Sequence, residues 1–214
     1  MTHEDFCLQR RRRLITLTLV SALPLLNACM PAVLATGAAV GVISFHDRRL
    51  TGVQADDEVS EWKGSNRLPA RHADKSHVNF TSFNRVLLIT GEVPDQESRQ
   101  AIEDIGLRIE GIRKVHNELL IAPLSSLSSR SNDAFISSKF IARLLEANQV
   151  SINHIKSITE NGTLFLMGIV NEREAKATVA TARSTDGVRK VVNLLEILPD
   201  AEIRRIDQTP AGSR

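Results

Sequence analysis

Two histidines at equivalent places in the chain are the first residues to suggest chemistry. His77 and His154 each stand at the start of a predicted strand. Imidazole is a common metal ligand, but a zinc site needs three or four ligands, and neither histidine has a second ligand at coordinating spacing nearby. The pattern predicts a structural role for both histidines and no metal site.

Four separate glycines are the next candidates, because glycine-rich loops can hold a phosphate group with their backbone N–H groups. These glycines stand alone at predicted strand and helix ends, so we predict turn and cap geometry for them. They are Gly91, Gly111, Gly168 and Gly187. The sequence also lacks a nucleophile elbow, a paired-histidine helix and a Walker-type loop. We therefore predict a protein that is not an enzyme and has no cofactor.

Cys29 lies in a context that points to covalent modification. Arginines occupy positions 10–13, and an uncharged stretch from Leu14 to Leu26 follows them. A basic segment, a short apolar segment and a small residue before the cut are typical of a secretory signal peptide, here residues 1–28. Leu26–Cys29 resembles a bacterial lipobox, which implies that Cys29 becomes the first residue of the mature chain and carries acyl chains.

A transmembrane helix that buries Cys29 and continues to Phe45 is the alternative. Helix-breaking and helix-weakening residues argue against it. They are Pro24, Asn27, Pro31, Gly37 and Gly41. We therefore predict that residues 29–46 form a lipidated tether. The other cysteine, Cys7, lies in the segment that is removed, so no disulfide is expected.

The net charge excludes one class of partner. The whole chain carries a formal charge of +2. The signal segment holds four arginines against Glu4 and Asp5, and its removal leaves a formally neutral mature chain. Binding to nucleic acid depends on a surplus of Lys and Arg, so we expect no nucleic-acid partner.

The mature sequence contains a repeated unit. The stretch HVNFTSFNRVLLITGEVPDQESRQA from His77 matches HIKSITENGTLFLMGIVNEREAKAT from His154 at an offset of 77 residues. Further on, GIRKVHNELLI from Gly111 matches GVRKVVNLLEI from Gly187 at an offset of 76. A unit of this length that occurs twice indicates two copies of one small domain.

Each copy predicts the same order of elements. A short strand is followed by a hairpin turn, Asn161-Gly162 in the second copy and Asn84-Arg85 in the first, and then by a second strand. A helix and a final strand come next, and an amphipathic helix precedes the hairpin. The resulting order is αββαβ, an α+β fold with both helices on one face of a three-stranded sheet.

The predicted domain boundaries follow from this pattern. The first domain covers residues 47–121 and the second covers residues 132–199. The Pro/Ser-rich segment 122–131 is predicted to be a linker, and residues 200–214 are predicted to form a flexible tail.

The glycine that ends the second strand, the acidic helix start and the motif Gly-Val-Arg-Lys-Val-Val-Asn from Gly187 together resemble the BON-domain family. A lipobox followed by two such domains is similar to the lipoproteins of that family. The resemblance implies a non-catalytic envelope-integrity factor that binds phospholipid. Met30, in place of Asp after Cys29, implies an outer-membrane location with the domains facing the periplasm.

The helix predicted from Asn132 to Asn148 divides into two faces. The core face is predicted to hold Ile136, Phe140, Ile141, Leu144 and Leu145. The opposite face holds Phe135, Lys139, Ala142 and Glu146, with Arg143 at its margin. An outward aromatic ring beside two cations is typical of a peripheral contact with anionic phospholipid, although Glu146 weakens the electrostatic attraction.

Two alternatives for Phe135 stay open at the level of sequence. Its ring could pack on the linker or on the first domain. It could also be the central anchor of an adaptor that binds another envelope protein or the cell wall. Lipid binding through Lys139 and Arg143 should weaken with salt, whereas adaptor binding need not.

Overall fold

The computed structural model describes residues 47–209, and Cys29, the predicted signal peptide and the tether lie outside this range. The first domain contains three helices and three strands. In chain order they are α1 (Thr51–Asn66), α2 (Ala70–Ala73), β1 (His77–Phe83), β2 (Val86–Val93), α3 (Gln96–Leu107) and β3 (Lys114–Ile121).

The second domain repeats this order after a short connection and adds a helix at its end. Its elements are α4 (Leu127–Ala147), a single 3₁₀ turn (Ile152–His154), β4 (Ile155–Glu160), β5 (Thr163–Val170), α5 (Glu172–Arg183), β6 (Lys190–Ile197) and α6 (Asp200–Gln208).

The two sheets have the same topology. The strand orders are β1-β2-β3 and β4-β5-β6. The first two strands of each sheet pair in antiparallel fashion as a hairpin, and the third pairs in parallel with the central strand. A parallel third strand requires a crossover, which α3 and α5 provide. The αββαβ order and the α+β class predicted from the sequence are confirmed.

A buried aspartate on the first helix of each domain fixes the hairpin turn. Asp57 accepts hydrogen bonds from the backbone N–H groups of Asn84 (2.7 Å) and Arg85 (2.8 Å). Asp133 accepts bonds from those of Asn161 and Gly162, both at 2.9 Å. All four turn residues have positive φ, so the carboxylate stabilises a conformation that Arg85 would otherwise avoid.

Two of the four glycines do not have the turn or cap geometry predicted for them. Gly91 and Gly168 lie inside β2 and β5. A Cβ on Gly168 would lie 2.4 Å from the carbonyl oxygen of His154, and a Cβ on Gly91 would lie even closer to that of His77. The neighbouring chain therefore approaches too closely for any side chain. Gly111 and Gly187, with φ of 90° and 94°, lie in turns a few residues beyond the ends of α3 and α5.

The sheets pack against each other through the faces that the helices leave open. Residues of β2 and β5 alternate between the two sides: Leu87 and Ile89 face the helices of the first domain, whereas Leu88 joins a shared cluster. That cluster combines side chains of both domains with one from α6. It contains Phe83, Leu88, Phe165, Met167, Ile169 and Ile203. The layers follow the order helix, sheet, sheet, helix.

The predicted flexible tail is wrong for residues 200–208. They form α6, whose Ile203 is 3% exposed and belongs to the core between the sheets. The prediction failed because the segment was considered alone, and the apolar surface that α6 covers is created only when the two sheets meet.

The predicted linker 122–131 is also too long. Helix α4 begins at Leu127, because the Ser126 side chain accepts a hydrogen bond from the Ser129 backbone N–H at 3.1 Å and caps the helix there. The serines that suggested a flexible segment form the first turn of the longest helix in residues 47–209. None of the helices in this range is both long and apolar enough to cross a bilayer.

Candidate functional site

Helix α4 separates a buried face from an exposed one. Ile136, Phe140 and Leu144 are at most 1% exposed, and Phe140 and Leu144 belong to the apolar cluster on the outer face of the second sheet. Phe135 is 61% exposed and points away from that core. Burial of the first three side chains fixes the rotation of the helix, and this rotation places the Phe135 ring in solvent.

Lys139 lies beside the exposed ring. Its Nζ is 5.0 Å from the centroid of Phe135, which is cation–π distance. The same Nζ lies 3.2 Å from a carboxylate oxygen of Asp186, whose side chain is 97% exposed. The ammonium group is therefore held over the ring, although Asp186 compensates part of its charge.

Arg143 connects α4 to the end of α5. Its guanidinium donates hydrogen bonds to the Ser184 carbonyl oxygen and, at 3.1 Å, to the Ser184 hydroxyl. Gly187 in the same turn approaches α4 so closely that a Cβ would lie 2.9 Å from Cγ1 of Ile136. The turn between α5 and β6 thus holds Arg143 and Lys139 on one side of Phe135.

The structure brings the four predicted contact residues together on one surface. Ala142 is exposed on the same side of α4 as Phe135, and Arg143 is exposed at its margin. The exposed Glu146 lies there too. We call Phe135, Lys139, Ala142 and Arg143 the α4 face.

Leu145 was predicted to lie in the core, and this is wrong. It is 62% exposed, because it lies about 100° further around the helix than the buried Leu144. Leu127, at the start of α4, is 76% exposed. The two leucines are separated by about five helical turns and share one side of α4, roughly 27 Å apart along its axis.

These leucines extend the apolar surface on both sides of Phe135, and sequence reasoning missed them. The predicted linker includes Leu127, and the predicted core face includes Leu145, which directly follows the buried Leu144. A helix extended back to Ser126 would have shown both residues on the solvent side.

The histidines have surroundings that fit structural roles. Nε2 of His77 lies 3.3 Å from the side-chain nitrogen of Asn79, and His154 is buried at the start of the second sheet. Within residues 47–209, no group of three or more His, Cys, Asp or Glu side chains is arranged to hold a metal ion.

A family comparison decides the class of the two domains. The BON domain model matches residues 65–123 and 132–199, which together make up more than half of the chain. The chain belongs to the BON-domain family. The second match covers the whole α4 face, whereas the first begins only at the end of α1.

Two relatives align with most of this chain. The outer membrane lipoprotein DolP of Haemophilus influenzae is 31% identical over 182 residues, which cover 84% of this chain and 94% of the relative. A 21 kDa hemolysin of Actinobacillus pleuropneumoniae is 28% identical over 151 residues, 70% of this chain and 78% of the relative. Among solved structures, the C-terminal domain of CdsD, a structural protein of the Chlamydia trachomatis type III secretion system, matches at 17% identity over 67% of each chain, with a TM-score of 0.27.

A buried arginine connects the beginning of the first BON domain to the second. Arg48 donates hydrogen bonds to both carboxylate oxygens of Glu174 (2.7 and 3.0 Å), to both of Asp207 (2.9 and 3.0 Å) and to the Ile169 carbonyl (2.9 Å). Burial disfavours ionisation of Glu174, but the hydrogen bonds from Arg48 and from the Asn171 amide outweigh it and lower the Glu174 pKa. This ion cluster joins the start of the described chain, at Arg48, to α5 and α6.

Proposed function

We propose that this protein is a non-catalytic lipoprotein of the bacterial envelope, anchored through acyl chains on Cys29, whose second BON domain binds anionic phospholipid. The observation that carries the proposal is the α4 face, where the exposed Phe135 ring lies beside the Lys139 ammonium on a helix that also exposes Arg143, Leu127 and Leu145. An apolar wedge inserts at the headgroup boundary, and the cations bind lipid phosphates.

The relatives support the location. One of them is named an outer membrane lipoprotein and matches nearly its whole length. We infer the same location for this chain, with the BON domains in the periplasm and a role in outer-membrane integrity. A protein anchored to the membrane meets lipid at a high effective concentration, so a weak headgroup site is sufficient.

Flotation with liposomes tests the proposal. The mature chain from Met30 to Arg214, which lacks the acylated cysteine, should float with vesicles that contain phosphatidylglycerol and not with neutral ones. Phe135→Glu should weaken flotation, because it places a carboxylate where the wedge enters the lipid. Ile197→Glu is the matched control, since Ile197 is 51% exposed on β6, away from α4. Equal flotation of Phe135→Glu and wild type would disprove the α4 contact.

An adaptor for another envelope protein or the cell wall is the second candidate. The exposed apolar residues of α4 could equally anchor a protein partner. The two candidates differ in their response to salt and to headgroup charge, because lipid binding through Lys139 and Arg143 is screened by salt. Absence of flotation with both kinds of vesicle would favour the adaptor.

A further inference from the structure

Helix α1 of the first BON domain occupies the same structural position as α4 of the second. Asp57 and Asp133 are both buried and both bind the backbone amides of their hairpin turn. These bonds set the register between the two helices at an offset of 76 residues. The comparison is independent of the family match, whose first range includes only the end of α1.

In this register, the residues of the α4 face have counterparts on α1. Val59, Lys63 and Arg67 take the positions of Phe135, Lys139 and Arg143. Val59 is 48% exposed, and Trp62, one turn further along the same side, is 64% exposed. Both helices therefore expose a large apolar side chain. In α1 this side chain is Trp62, three residues after Val59, the counterpart of Phe135.

The arginine contact is repeated as well. Arg67 donates a hydrogen bond at 3.2 Å to the carbonyl oxygen of Arg108, the residue that caps α3. Arg143 makes the same contact with Ser184, which caps α5. Each arginine thus connects the end of its helix to the cap of the helix that follows the hairpin.

We propose that Val59, Trp62, Lys63 and Arg67, here called the α1 face, form a second contact site for a phospholipid bilayer. This inference rests on the proposed function of the α4 face, whose chemistry it repeats. Trp is the side chain best suited to the headgroup boundary, because its indole has a large apolar surface and an N–H that donates to polar groups.

The acidic residues of α1 are mostly compensated. Glu61 accepts hydrogen bonds from Lys156 (2.5 Å) and from the Ser82 amide (2.7 Å). Asp56 pairs with Arg85 at 3.1 Å. Glu58 is exposed and lies one turn before Trp62 on the same side of the helix. The α1 face therefore depends on Trp62 more than on charge, and its lipid contact should be less sensitive to salt than that of the α4 face.

The layer order gives the two sites different orientations. Helices α1 and α4 cover the outer faces of sheets that pack against each other, so their exposed faces lie on opposite sides of the molecule. One flat bilayer cannot touch both. The 17 residues between Cys29 and Asp47 can span at most about 65 Å, which leaves the anchored protein room to present either side. Engagement of both faces would link two bilayer surfaces.

Tryptophan fluorescence reports on the α1 face directly, because the chain contains one tryptophan and no tyrosine. The chain from Met30 to Arg214 is mixed with phosphatidylglycerol vesicles whose acyl chains are brominated. Trp62 emission should shift to shorter wavelength and be quenched, in wild type and in Phe135→Glu alike. Emission typical of a water-exposed indole in both proteins would overturn the inference, while flotation of wild type would still support the α4 face.

Vesicle clustering tests the arrangement of the two sites. Wild type should cluster vesicles and raise their light scattering, whereas Trp62→Glu and Phe135→Glu should each lose clustering. Trp62→Glu should still float through the α4 face, and Ile197→Glu should retain both activities. Clustering by Trp62→Glu at the wild-type level would contradict the inference. Full flotation of Phe135→Glu combined with quenching of Trp62 would instead contradict the α4 site and leave the α1 site standing.

Discussion

At the scale of single residues, the contact between Lys139 and Phe135 positions a cation beside an exposed aromatic ring. A cation over an exposed ring is worth about 0.5–1 kcal/mol, which is enough to bias the lysine rotamer without fixing it. The ammonium group lies between the ring and Asp186. A lipid phosphate that enters here would compete with Asp186 for a cation that is already in place.

Substitution of Gly168 should lower the stability of the fold without changing the residues of the α4 face. Gly168→Ala would force a Cβ to within 2.4 Å of the His154 carbonyl, so strands must separate, and overpacking of this kind costs about 1–3 kcal/mol. Gly52→Ala is the matched control, because no atom lies within 4 Å of the added methyl and Gly52 lies in α1. Urea unfolding should show a loss for Gly168→Ala and no loss for Gly52→Ala. Equal midpoints would contradict the close approach.

At the scale of elements, the two domains cap their second helices differently. Asn171 and Glu174 form a capping box at the start of α5, in which each side chain bonds the backbone N–H of the other at 2.8 and 2.9 Å. Asp95 caps α3 through one bond to the Ser98 amide at 2.7 Å. The second domain therefore begins this helix with the more complete set of bonds.

Asn171→Ala should destabilise the protein by about 0.5–2 kcal/mol, because it removes the side-chain acceptor of the Glu174 amide in the first turn. Lys176→Ala, on the exposed side of the same helix, removes only a surface ion pair with Glu172 and should change the free energy of unfolding by well under about 1 kcal/mol. Thermal and urea unfolding would measure both. Equal effects of the two substitutions would show that the box contributes nothing.

Local chemistry explains which elements the sequence could predict. Asn161-Gly162 and Asn171 are strong local signals, and the second hairpin and α5 follow from them. The start of α4 was missed because Ser126 is a cap in a serine-rich segment. Helix α6 was missed because its partner surface, formed by both sheets, does not exist in any single stretch of sequence. The helical periodicity correctly predicted that Phe135 is exposed on α4. It wrongly placed Leu145 in the core, because Leu145 lies just beyond the edge of the apolar face.

At the scale of the whole molecule, Arg48 connects parts that are distant in sequence. Its ion cluster holds the start of the first domain, α5 and α6 together, next to the packed sheets. Further contacts between the domains surround the apolar core, including Asn84 with Glu196 at 2.6 Å and Lys156 with Glu61 at 2.5 Å. The two BON domains therefore behave as one compact unit.

The Arg48 cluster predicts a dependence of stability on pH. The Glu174 pKa is lowered from its usual 4.5, so ionised Glu174 stabilises the fold fully above that value, and the contribution is lost as the pH falls through the lowered pKa. Arg48→Met should destabilise the protein at neutral pH by about 3–5 kcal/mol, because it removes the cation that pairs with the buried Glu174 carboxylate. The loss should shrink in acid, where Glu174 becomes protonated.

Arg205→Met provides the control for this experiment. Arg205 is 78% exposed at its side chain and lies 3.7 Å from Glu202, so its replacement should have little effect at any pH. Urea unfolding between pH 3 and pH 7 would give both profiles. A constant difference between Arg48→Met and wild type across this range would rule out the linkage.

Binding of the α4 face to anionic lipid is the central claim, and a dye attached to that face tests it most directly. The chain from Met30 has no native cysteine, so Ser138→Cys can carry an environment-sensitive dye on α4 between Phe135 and the exposed Leu145. Dye emission should shift to shorter wavelength with phosphatidylglycerol vesicles, return toward the aqueous value in high salt, and stay unchanged with neutral vesicles. An Ile197→Cys control should not respond. Emission at position 138 that remains aqueous while the protein floats would place the lipid contact elsewhere and contradict the account.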